Sequence, residues 1–210
     1  MAEILARANI PSMRFDFRGH GESGGASTEM TIAGEILDLH SAVRETKKRF
    51  AVRRPAVVGT SFGASVAVLW TAAHPHAASS LTLLCPVLDY RETFLNPSTE
   101  WGRKWFGQKA LRRAAKSGFI NVDGFKLGRR LSDEWASLRP FEIVRHLKIP
   151  ILVIHGSADS MVPYAVAERA ARHLSNGKFV AIPNSDHGFE GYEAIVYEEV
   201  RNWIVLHAPR

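Results

Sequence analysis

A chain of 210 residues, 46% apolar and 23% charged, is long enough for one well-buried domain and too short to expect two. Its single cysteine, Cys85, excludes an intrachain disulfide; no apolar run approaches a membrane span and Met1–Arg7 is no secretory signal, so a cytoplasmic protein is expected. The formal charge of +6 sits in runs such as Lys47-Lys48-Arg49, Lys109–Lys116 and Lys126–Arg130, which solvated helix faces explain; no aromatic interleaving accompanies them, which argues against nucleic acid and leaves an acidic substrate or carrier as the alternative.

Ala2–Ala8 reads as the tail of a helix, ended near Asn9 and Pro11, and Ser12–Phe17 alternates as a strand. A glycine-rich loop, Arg18–Gly25, precedes Thr31–Phe50, where Ile32, Ile36, Leu39 and Val43 fall at helical spacing. Val57-Val58 is a short buried strand, Gly59-Thr60-Ser61-Phe62-Gly63 a G-x-S-x-G turn, and Ala64–Leu69 the apolar helix that continues it. Such a turn lifts the serine oxygen above the sheet and aims the next N–H at the same spot, although the pentapeptide alone also fits a glycine-rich helix start. Leu81–Cys85 is another apolar run, stopped by Pro86.

Val87–Leu147 breaks this rhythm. It holds Trp101, Trp105, Phe106, Phe119, Phe125 and Trp135 among basic residues, with no clear strand. A cap of short helices over a site is expected there, its tryptophans Trp101, Trp105 and Trp135 being the candidate substrate contacts; the plainer reading is a surface insertion. Regularity returns with a strand at Ile149–His155, a loop at Gly156–Pro163 and a helix at Tyr164–Leu174. A strand at Lys178–Ile182, a loop at Pro183–Phe189 and a helix at Tyr192–His207 complete the chain. Strands alternating with helices predict an α/β fold: a mostly parallel sheet with helices on both faces, one domain over 1–210 with the cap inserted at about 87–147.

In an open parallel sheet, the loops after the strands crowd along one edge, where ligands bind. Ser61, Asp159 and His187 each occupy such a loop, in the order nucleophile, acid, base. A serine hydroxyl is a weak nucleophile until an imidazole takes its proton, and a carboxylate holds that imidazole in the right tautomer. Asp186, beside the histidine, competes with Asp159 for the acid's role. No histidine pair has helical ligand spacing near an acid, so no metal site is expected, and Cys85 reads as a small buried apolar residue.

These motifs resemble the α/β-hydrolase superfamily, in particular small bacterial esterases of the cinnamoyl-esterase and monoacylglycerol-lipase kind. The matching pieces are Arg14–Ser23, the Gly59–Gly63 turn, His155-Gly156 with Asp159 and Val162-Pro163, and Asp186-His187-Gly188-Phe189; the cap matches weakly. The resemblance implies a cofactor-free carboxylic ester hydrolase acting on a small-molecule ester with a short acyl or aromatic group. In it Ser61 is the nucleophile, His187 the general base and then acid, Asp159 the orienting carboxylate and the Phe62 N–H one oxyanion donor. It makes His20 and His155 structural. A thioesterase or acyltransferase on acyl carriers is the variant within the class.

The family begins with strands, and with a loop that supplies a second oxyanion N–H, ahead of the helix with which this sequence starts. Losing one oxyanion donor costs about 10²–10³ in turnover. The resemblance therefore also raises a catalytically weak module that works by association. An absent neighbour would leave a strand edge open to a second copy, as in a homodimer, or the natural protein is longer.

Overall fold

The computed structural model describes residues 1–208. A first helix, α1 (Ala2–Arg7), and an irregular stretch lead to α2 (Ile32–Phe50), β1 (Val57–Thr60), α3 (Phe62–Ala73) and β2 (Leu81–Leu84). Between β2 and β5 (Ile151–Gly156) lie α4 (Glu100–Phe106), α5 (Gln108–Ser117), β3 (Phe119–Val122), β4 (Phe125–Gly128), α6 (Arg129–Glu134) and α7 (Pro140–Val144). The described chain closes with α8 (Tyr164–Ala171), β6 (Gly177–Ile182) and α9 (Glu193–Leu206).

Four parallel strands form the main sheet in the order β1-β2-β5-β6. Successive side chains of a strand face opposite ways, so each central strand feeds two cores. Leu81, Leu83, Ile151 and Val153 pack with α2, α3 and α8 on one face, through Leu39, Val66 and Val166. Leu84, Leu152, Ile154 and Ile182 pack against Val196, Val200 and Trp203 of α9 on the other. Burial on both faces explains why these strands read as continuous apolar runs rather than alternating ones. The α/β fold with helices on both faces is the one the sequence predicts.

Thr31 caps α2, its Oγ1 accepting the Gly34 N–H at 3.0 Å. Glu134, at the end of α6, completes this terminus by accepting from the N–H groups of Ile32 and Ala33 at 2.6 and 3.3 Å. A carboxylate from the inserted segment thus satisfies the positive end of a core helix.

Two expectations need correction. Ser12–Phe17 is not a strand: among the described residues no ladder reaches it, Phe15 is exposed, and only Phe17 packs against the core. Alternation supplies the side-chain pattern of a strand but not the neighbour whose N–H and C=O groups make it one. The segment at 87–147 is also not purely helical, because β3 and β4 pair as an antiparallel hairpin. Its turn is Asp123-Gly124, both at positive φ (49° and 90°), the conformation that favours Asp-Gly in two-residue hairpin loops. This segment builds its own apolar cluster, with Phe94, Phe106, Ile120, Leu131 and Trp135 buried together. Trp135 lies 4.4 Å from Phe94, ring centre to ring centre, in a stacked arrangement.

Candidate active site

Ser61 stands where β1 turns into α3, at φ 52° and ψ −120°. A non-glycine residue in this region carries strain of about 1–3 kcal/mol and persists only where its surroundings hold it. Here they do: its N–H donates to Leu84 O at 2.8 Å, and its own carbonyl accepts from Val87 N at 3.1 Å. The end of β2 and the chain just after it therefore clamp the bend on both sides. A Cβ at Gly59 would lie 2.7 Å from the Ala64 Cα, so the helix can fold back on the strand only because position 59 has no side chain. Gly63 is less constrained, its nearest obstacle being the Phe17 ring at 3.5 Å. The Ser61 hydroxyl does not cap α3 and is left free, while the Phe62 N–H belongs to the first turn, where no intrahelical carbonyl is available.

Asp159 is fully buried at the loop after β5. Its Oδ1 accepts from the N–H groups of Met161 and Val162, each at 2.8 Å. Its Oδ2 accepts from His187 Nδ1 at 2.7 Å and lies 3.0 Å from His155 Nε2. Burial pushes this carboxyl's pKa up, but the bonds from His155, His187 and the Val162 N–H outweigh it and hold it well below the usual carboxylate range. Asp186 has a different task. Its Oδ1 accepts from the backbone N–H groups of Ser160 and His187, each at 2.8 Å, tying the loop of Asp159 to that of His187. A Cβ at Gly156 would meet Ser185 O at 2.3 Å, so the same two loops touch across a position that only glycine can fill.

Ser61 and Phe62 line a cavity of about 170 Å³ between the bend and the inserted segment. Trp101 and Trp135 line it too; Trp105 does not, and instead lies under the Lys104 ammonium, 4.5 Å from its ring centre. The remaining wall is apolar apart from Thr93 and His20. Thr93 is spoken for, its hydroxyl donating to Asp89 O at 2.8 Å. His20, which the resemblance makes structural, lines the cavity and stacks on Phe125 of β4 at 5.0 Å. The glycines around it were the one signal: a loop that tight holds its side chain in place.

His187 does not line the cavity, and no hydrogen bond joins it to Ser61 among the described residues. The pair Asp159–His187 is thus formed without a hydrogen bond to the serine. Cys85, His155 and Asp159 bring a thiol, an imidazole and a carboxylate within 4.8 Å of one another, all buried. Burial pushes the Cys85 thiol well above its ordinary range, and the carboxylate already has donors at both oxygens, so the trio reads as a hydrogen-bonded cluster around Asp159.

A strained serine bend at the C-terminal edge of a parallel sheet, with a carboxylate–histidine pair on neighbouring loops, defines the class of α/β hydrolases. Residues 2–196 match the model of the alpha/beta hydrolase family, and the chain belongs to that family. It is 27% identical over 205 residues to the protein YfhR of Salmonella typhimurium, covering 93% of this chain and 61% of that relative. The chain thus spans about three fifths of the length of that relative. Among solved structures it resembles Est1E from Butyrivibrio proteoclasticus with ferulic acid bound (TM-score 0.81, 22% identity, 98% of this chain and 80% of that one). It also resembles a monoacylglycerol lipase from Paleococcus ferrophilus (TM-score 0.70, 18% identity, 99% and 88%). At these identities the structural likenesses speak for the fold alone.

Proposed function

We propose that the protein is a carboxylic ester hydrolase that forms an acyl-enzyme on Ser61. The observation that carries this reading is the 2.7 Å bond from His187 Nδ1 to the buried Asp159. It fixes the tautomer in which Nε2 is unprotonated and able to take a proton. With substrate in place, His187 Nε2 removes the Ser61 proton as Oγ attacks the acyl carbon, and the Phe62 N–H donates to the oxyanion. His187 then returns the proton to the departing alcohol, and water repeats the sequence to release the acid. The cavity supports a small apolar acyl or alcohol group: its 170 Å³ is close to the ~150 Å³ of an engineered apolar cavity that takes up benzene. One aromatic ring or a short chain suits it. The test is hydrolysis of p-nitrophenyl esters of increasing acyl length by wild type and Ser61→Ala. Turnover that favours short or aromatic acyl groups and vanishes in the variant supports the reading; equal turnover in both chains sinks it.

A second reading keeps the chemistry and changes the substrate. Residues 101–130 hold nine Lys and Arg against one carboxylate, Asp123, and α5 buries none of its residues. Such a surface suits an acyl group delivered as a thioester by an acidic carrier. Matched oxygen esters and thioesters, assayed at low and high salt, separate the two, since screening weakens only charged docking. Thioester turnover that is indifferent to salt removes this second reading.

A further inference from the structure

The reaction above uses one imidazole on Asp159, yet the carboxylate has two. His155, the fifth residue of β5, is fully buried, with Nε2 3.0 Å from Asp159 Oδ2 and 3.3 Å from Val162 O. Both neighbours of Nε2 are acceptors, so Nε2 carries the hydrogen. Nδ1 is buried without any partner. Oδ2 therefore lies against two imidazole nitrogens, accepting from His187 Nδ1 at 2.7 Å and meeting at 3.0 Å the His155 Nε2–H, which Oδ2 shares with Val162 O.

We propose that His155 is a positioning residue for the hydrolytic machinery: a second imidazole at Asp159 Oδ2 that fixes the carboxylate and takes a share of the charge it offers to His187. This rests on the reading of Asp159 and His187 as acid and base. Every hydrogen bond that Oδ2 accepts from elsewhere withdraws negative charge from its bond to His187. A carboxylate with less charge to offer stabilises the His187 imidazolium less, which eases return of the proton taken from Ser61. The other groups facing this pair are few. The Cys85 thiol approaches Asp159 from the end of β2, Asp186 adds a carboxylate one residue before His187, and the Tyr164 ring of α8 meets the His155 ring edge-on at 5.7 Å. Asp186 is directed at Ser160 and the His187 backbone, and Tyr164 offers His155 a ring rather than a charge. Among the described residues this leaves His155 as the second imidazole at the same oxygen.

The test is the pH profile of kcat/KM on a chromogenic short-chain ester, for the full chain as wild type, His155→Leu and His155→Gln. Removing the donor is expected to raise the acidic limb by about half a pH unit to one unit, and glutamine, which keeps an N–H donor, is expected to bring it back toward wild type. A purely packing role would lower activity or stability without moving the limb, so coincident limbs in all three chains overturn the proposal. Should the leucine chain not fold, ¹⁵N-imidazole NMR of the wild type decides. His155 is expected to carry its hydrogen on Nε2, between Asp159 Oδ2 and Val162 O, and the Nδ1–H tautomer overturns the proposal. Absence of phosphonate labelling at Ser61 in the wild type takes down the triad reading and this proposal with it; labelled Ser61 with coincident limbs takes down this proposal alone.

Discussion

Glu35 shows how a single buried side chain sets a pH response for the whole fold. It sits in α2 with both carboxylate oxygens buried and unpartnered. Burial first, and then the nearby Asp38 and Glu134, push its pKa up to about 8, with Arg18 opposing. The unfolded chain ionises this group near pH 4.5, so between there and about pH 8 the folded state binds one more proton than the unfolded. Stability attributable to Glu35 is therefore fully present below the lower value and is lost as pH rises towards the upper one, by at most about 1.4 kcal/mol per unit. Thermal melts of the wild type should fall in midpoint from pH 5 to pH 8, and Glu35→Gln should flatten that slope. Parallel slopes in the two chains would contradict this account. Asp159 works the other way: its depressed pKa contributes stability at neutral pH that is lost only in strong acid.

At the scale of elements, the bend after β1 and the apolar cluster above it are the parts most open to test. Gly59→Ala forces a methyl to within 2.7 Å of the Ala64 backbone, so the β1–α3 junction must open. Labelling of Ser61 by a fluorophosphonate is expected to drop by at least about tenfold even in the folded fraction, since a misplacement of about 1 Å costs on the order of 10². Trp135→Ala empties the centre of the aromatic cluster and is expected to cost about 3–5 kcal/mol, read as a fall in the urea midpoint. The junction was legible in the sequence because a turn that tight requires Gly59 and tolerates little else. The order of Ser61, Asp159 and His187 was legible because each follows a strand. The hairpin was not, although Asp123-Gly124 is a turn signal, because its strands are four residues each and sit among helical, basic sequence. Ser12–Phe17 misleads for the opposite reason: its pattern is local, whereas a strand is a relation between two segments. The His155 contact is hidden too, because nothing in the spacing to Asp159 tells a packed core histidine from one that donates to a carboxylate.

For the molecule as a whole, charge and the sheet edge matter most. Among the described residues β1 is paired on one side only, by β2, and an open parallel edge is a template for association. We expect a homodimer through this edge, seen as a concentration-dependent mass by size exclusion with light scattering; a monomer at every concentration speaks against it. No helix among the described residues is long and apolar enough to cross a membrane. Residues 101–130, which include the cavity-lining Trp101, Phe106, Val122, Phe125 and Leu127, carry nine cations against one carboxylate, so part of the net positive charge is gathered on the inserted segment.

The proposed chemistry depends on a serine hydroxyl made reactive by the imidazole of His187. A fluorophosphonate probe reads that reactivity directly, by intact mass and peptide mapping on the full chain. The account expects one adduct on Ser61 in the wild type, none in Ser61→Ala, and labelling slowed by about 10³-fold or more in His187→Ala. A wild-type chain that folds and takes up no probe, or one labelled equally well without His187, would contradict it.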